Sequence, residues 1–166
     1  MSDFQVVDGS LGGQAINENS ATQKNQLGRC VVAQDMASTA YGFGEFIYLK
    51  GLASTAVGFA VTYQYGDYVT AHSTANAVGL VAIAMSACVA GEFGWYQIRG
   101  LAVVEVNASF ADDTMCYLTS TAGHLDDAVV VGDAVHGSYG YSDIDTPITG
   151  QALVSIQYPF VTNISN

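Results

Sequence analysis

Gly79–Val106, GLVAIAMSACVAGEFGWYQIRGLAVVEV, constrains the fold more than any other stretch of the chain. Val81, Ile83 and Met85 alternate with smaller residues. Tyr96 and Ile98 face one way, with Trp95, Gln97 and Arg99 facing the other. Beyond Gly100 the alternation resumes, Leu101, Val103 and Glu105 opposing Ala102, Val104 and Val106. A period of two belongs to extended chain, and glycines that interrupt it mark turns between antiparallel strands. The Ala90-Gly91-Glu92 turn and the Gly100 break divide the stretch into three expected strands.

The same pattern recurs along the chain. Arg29–Gln34, Glu45–Lys50, Val57–Tyr65, Tyr68–Ala71, Met115–Thr119, Val129–Val135 and Gln151–Gln157 read as strands. Gly/Asp, Ser/Thr and Asn clusters separate them, and Gly137–Thr146 reads as a polar loop. Pro159 is expected to reduce the residues after it to an edge or a tail. Only Ser73–Val78 is a candidate for a short helix. About ten short strands at spacings of roughly 8–12 residues predict an all-β fold, a compact antiparallel β-sandwich or β-barrel.

Residues 1–27 read differently. They are polar, rich in Gly, Asn, Gln and Ser, and carry only scattered apolar side chains. Such a segment does not bury enough apolar area to fold by itself. It is expected to be an extended N-terminal arm ahead of a β domain over 28–166. Phe4, Val6, Leu11, Ile16 and Leu27 are the candidate anchors by which the arm orders on a partner.

Composition narrows the function. The chain of 166 residues is 50% hydrophobic and carries four Lys and Arg against fifteen Asp and Glu, a net charge of −11. No base follows Arg99, whereas Glu105, Asp112, Asp113, Asp126, Asp127, Asp133, Asp143 and Asp145 do. This charge repels phosphate, so neither nucleic acid nor an anionic membrane surface is an expected partner. The longest apolar run, Val78–Gly91, is shorter than the roughly 20 residues that span a bilayer. The opening Met1-Ser2-Asp3-Phe4 lacks a basic region and an apolar core, so synthesis in a cytoplasm is expected. Cys30, Cys88 and Cys116 read as buried free thiols.

Catalytic and metal motifs are missing. His72, His124 and His136 are far apart, without the short spacings of a zinc site. The sequence has no G-x-S-x-G elbow and no P-loop. Asp112-Asp113, Asp126-Asp127 and Asp143-x-Asp145 suit turn closure better than calcium ligation or hydrolysis. Neither an enzyme nor a bound cofactor is expected. The tyrosines Tyr63, Tyr65 and Tyr68, and Tyr139 and Tyr141, leave open a carbohydrate-binding β module.

GEFGWYQIRGLAVVEV (91–106) and MCYLTSTAGHLD (115–126) resemble capsid cement (decoration) proteins of tailed phages. The likeness lies in Gly91, Glu92, Gly94, Trp95, Gln97, Gly100, Ala102 and Val104, then Tyr117, Leu118, Thr121, Ala122, Gly123 and Leu125. The resemblance implies a compact, usually trimeric β domain on the outside of an icosahedral head. Its partners would be the major capsid protein and its own copies, and its place the virion exterior. Other virion parts, such as a head-fibre base, tail tube or tail tip, stay open beside it.

Overall fold

The computed structural model describes residues 4–6, 13–52 and 54–164. The described residues form twelve strands and no helix: β1 (Phe4–Val6), β2 (Asn19–Ser20), β3 (Cys30–Asp35), β4 (Phe43–Lys50), β5 (Ala60–Tyr63), β6 (Ala71–His72), β7 (Gly79–Ala84), β8 (Phe93–Glu105), β9 (Tyr117–Leu118), β10 (Leu125–Asp126), β11 (His136–Gly140) and β12 (Gln151–Val161). The all-β expectation holds, as antiparallel sheets packed in a sandwich-like fold. The main sheet runs β1-β3-β4-β8-β12-β7-β5-β6, with β11 beside β12 and β2 beside β8; β9 and β10 form a separate hairpin.

β8 is the axis. Gly100 does not end a strand, as its break in the alternation suggests, because β8 passes through it as one element of 13 residues. The first half of β8 pairs with β4, and the second half pairs with β12 from Arg99↔Gln157 to Glu105↔Gln151. β7 pairs with both β8, at Ile83↔Gln97, and β12, at Phe160↔Leu80. All three of these pairings are antiparallel, and three strands cannot each oppose the other two in one flat sheet. The sheet therefore turns a corner here. Gly100 (φ +109°) lies in β8 at this corner and Tyr158 (φ +46°) in β12, and both adopt backbone outside the strand region.

Four local readings are revised by the structure. β12 runs on through Pro159 to Val161, because its direction changes where proline costs least. His136–Gly140, in what reads as the end of a strand and the start of a polar loop, is strand β11, paired with β12 across a register shift between His136 and Ser138. Val129–Val135 is not a strand. Its valines lie in a loop, and Ala134 makes only a single bridge to Tyr117. The Ser73–Val78 segment is a turn, not a helix.

Apolar side chains divide among three clusters. One gathers Val81, Ala102, Val104, Val154 and Ile156 with Phe110, Leu118 and Leu125. A second holds Ile47, Leu49, Val61, Tyr96 and Ile98. The third packs Phe46, Tyr48 and Trp95 against Phe4, Ile16, Val31 and Ala33. β4 and the first half of β8 are thus covered on both faces, which explains their near-continuous burial.

The cover on the outer face is the N-terminal segment, and residues 13–27 do not project from the domain as an arm. Phe4 meets the Phe46 ring edge-on at 5.0 Å, Ile16 is 1% exposed, and Leu27 packs at the margin. Buried Gln14 is the stitch. Its carbonyl accepts the Trp95 indole N–H at 2.8 Å, its Oε1 accepts the Tyr48 hydroxyl at 2.8 Å, and its Nε2 donates to Phe93 O at 2.9 Å. A polar segment can lie on an aromatic face when its buried polar groups are paired. We expect Gln14→Ala to cost about 2–3 kcal/mol, from the loss of three side-chain hydrogen bonds, with the Tyr48 hydroxyl, Phe93 O and Glu18 O. Urea unfolding would show this as a lower midpoint at unchanged slope.

Candidate functional site

The candidate anchors fall in three places. Phe4 and Ile16 are spent in the third core cluster, and Leu27 is packed against it. Val6 lies in β1, paired with Ala33. Leu11 lies outside the described residues. Phe4, Ile16 and Leu27 reach a partner only if the segment peels off its own domain. Mean polarity gives the segment the look of an arm, but its placement is set by the few residues that fit the Trp95 face.

The side chains of the acidic pairs tie loops together, and of these only Asp145 closes a turn of its own, where the sequence suggests local turn closure for them all. Asp143 Oδ1 accepts Asp112 N–H, Asp127 Oδ2 accepts Ala111 N–H, and Asp145 Oδ1 accepts Gly150 N–H at 2.9 Å. Asp126 holds Asn107 Nδ2, and buried Asp133 caps Asn76 N–H at 2.7 Å. No group of three His, Cys, Asp or Glu among the described residues could hold a metal ion. His72 Nε2 lies 3.2 Å from Thr55 Oγ1, and burial holds its pKa below the usual imidazole value. His124 contacts Val106 O, and His136 stacks on Phe160 at 5.0 Å.

The tyrosines separate likewise. Tyr63 is buried, and burial pushes its phenol well above the usual range. The Tyr68 ring lies where a Cβ on Gly28 would sit, which leaves only Tyr65 well exposed in that turn. The first trio is therefore not an open stacking platform. Tyr139 and Tyr141 are exposed, with the Tyr139 hydroxyl donating to Asp113. All three cysteines are free. Cys88 and Cys116 are buried, but Cys30 is exposed, because it takes an outward position of β3.

Two surfaces stand out among the described residues. One is the loop Val129–Val131, three consecutive valines exposed by 76%, 42% and 69%. It adjoins the end of β12, where a Cβ on Gly132 would come 2.9 Å from Asn163 Oδ1, one residue before exposed Ile164. Water-facing runs of this kind are uncommon on proteins that work alone.

The other surface is a groove of about 270 Å³ at the sheet corner, lined by Val32, Phe43, Gly44, Glu45, Arg99, Gly100, Ser155, Ile156 and Gln157. Four strands build it. Val32 opposes Glu45, Glu45 opposes Arg99, and Arg99 opposes Gln157, so one row crosses β3, β4, β8 and β12 on a single face. Beyond the row, Tyr158 donates to Glu45 Oε2 at 2.6 Å, a bond that raises the phenol pKa above its ordinary value. Phe43 stands at the mouth, 60% exposed. These residues are scattered over more than a hundred positions, and only Arg99, the last base in the chain, marks the site in sequence.

No protein-family model, curated protein or solved structure matches the chain.

Proposed function

We propose that this chain is a non-enzymatic virion structural protein, a capsid cement protein that binds the outside of an assembled phage head. The observation that carries the reading is the exposed Val129–Val131 loop on an otherwise acidic all-β domain. Apolar side chains held in water are a standing cost unless a second protein covers them. The resemblance in 91–106 and 115–126 supplies the class of partner. Its two parts fall on β8 and on the β9–β10 hairpin, next to the loop in sequence.

The physical logic is mass action. A clamp that binds only the expanded lattice stabilises that lattice by the free energy of binding, summed over many copies. Negative charge keeps such a clamp from competing for the packaged DNA. The partners in this reading are the major capsid protein and further copies of the chain, as a trimer, on the virion exterior.

Co-sedimentation with undecorated, expanded phage capsids tests this. Saturable binding is expected, and Val131→Asp should weaken it at least tenfold, about 1.4 kcal/mol, without lowering the melting temperature. A folded protein that never pellets with capsids would overturn the reading.

A further inference from the structure

We infer that the groove at the sheet corner is a binding site for a neutral saccharide. Phe43 offers an exposed aromatic face at the mouth. Aromatic rings present a flat apolar surface with a negative π face, which suits the C–H face of a sugar ring. Around it stand polar groups of opposite character: the Arg99 guanidinium donates only, the Glu45 carboxylate accepts only, and Gln157 and Ser155 can do both, while the nearby Tyr158 hydroxyl, its proton donated to Glu45, is left as an acceptor.

That mixture selects the ligand class. Each sugar hydroxyl is both donor and acceptor, so neighbouring hydroxyls can serve Arg99 and Glu45 together. An anion would satisfy Arg99 but face Glu45 on the adjacent strand, and a cation the reverse. The net charge of −11 further disfavours acidic sugars and phosphates. At about 270 Å³ the groove lies just below the roughly 300–1,000 Å³ of pockets for drug-sized ligands, which suits a short saccharide segment. The sheet preorganises the site, because cross-strand register spaces the polar groups. Little ordering cost therefore falls on binding.

The site is independent of capsid binding, and its test needs no capsid. The isotope-labelled full chain would be titrated with lactose, maltotriose, cellotriose, triacetylchitotriose and, as an anionic control, 3′-sialyllactose, following backbone amide shifts. The expected result is saturable movement of the Gly44 and Gly100 amides with at least one neutral sugar, at a dissociation constant of about 1 mM or tighter. Phe43→Ala and Glu45→Gln should each weaken that binding at least about tenfold, with melting temperature retained because Phe43 is largely exposed. The inference is overturned if no neutral sugar moves those amides. It is also overturned if 3′-sialyllactose binds more tightly than lactose, or if either substitution leaves binding unchanged.

Discussion

Deleting residues 1–27 is expected to abolish the cooperative folding of the domain. The segment carries Phe4, Ile16 and Leu27 into the third core cluster, and it covers Phe46, Tyr48 and Trp95. Each large apolar side chain returned to water costs about 1.5–3 kcal/mol. Losing the three and exposing part of the other three therefore costs several kcal/mol. Gln14 adds the pairing of the Trp95 indole and the Tyr48 hydroxyl, about 1 kcal/mol per bond. Domains of this kind hold about 5–15 kcal/mol in total. Thermal unfolding followed by near-ultraviolet circular dichroism would check this, with Trp95 emission moving towards that of a water-exposed indole. If the truncated chain melts cooperatively within about 5 °C of the full chain, the segment is a dispensable cover.

Gly100→Ala should cost about 3 kcal/mol, a large effect for a single added methyl group. At φ +109° an L side chain is strained, and its Cβ would lie 2.7 Å from Phe43 O and 3.2 Å from Gly44 Cα. Both neighbours are backbone of β4, so neither can swing aside. Relief requires β4 to move from β8, which opens the pairing at Glu45↔Arg99. Gly91→Ala is the control: its φ is +81°, but no atom lies within 4 Å of the added methyl, so only the backbone strain of about 1 kcal/mol remains. For a chain of this size the difference of about 2 kcal/mol corresponds to roughly 4–8 °C in melting temperature. Equal shifts for the two variants would remove the corner from the account of the fold.

The strands legible in the sequence are those whose neighbours bury one face or both. Glu45–Lys50, the Val81–Ile83 alternation and Trp95–Ile98 carry enough β-branched and aromatic residues to show the period directly. The turn role of Asp145 is equally visible, because it closes on Gly150 nearby, but Asp127, Asp133 and Asp143 hold backbone of loops remote in sequence, which no local pattern shows. Polar segments mislead where their pairing is remote. Gln14 is 81 residues from Trp95, and nothing local distinguishes it from Gln23 or Gln26. His136–Gly140 is a strand because β12 offers it a ladder.

The valines show the opposite failure. Val129-Val130-Val131 have the composition of a buried strand, yet the chain leaves them in water, because β11 pairs with β12 and, among the described residues, no strand pairs with 129–131. Propensity describes which backbone a residue favours, whereas exposure depends on which partners the topology has left.

The class of structure was already legible in the chain, since alternation with glycine punctuation points to antiparallel β layers, and so was its net charge of −11. The tertiary structure alone decided where the N-terminal segment lies, where the sheet turns, and that Glu45, Arg99 and Gln157 share one face. The reason is that alternation is a property of neighbouring residues, while register, closure and the Trp95 cover depend on pairings between residues far apart in the chain.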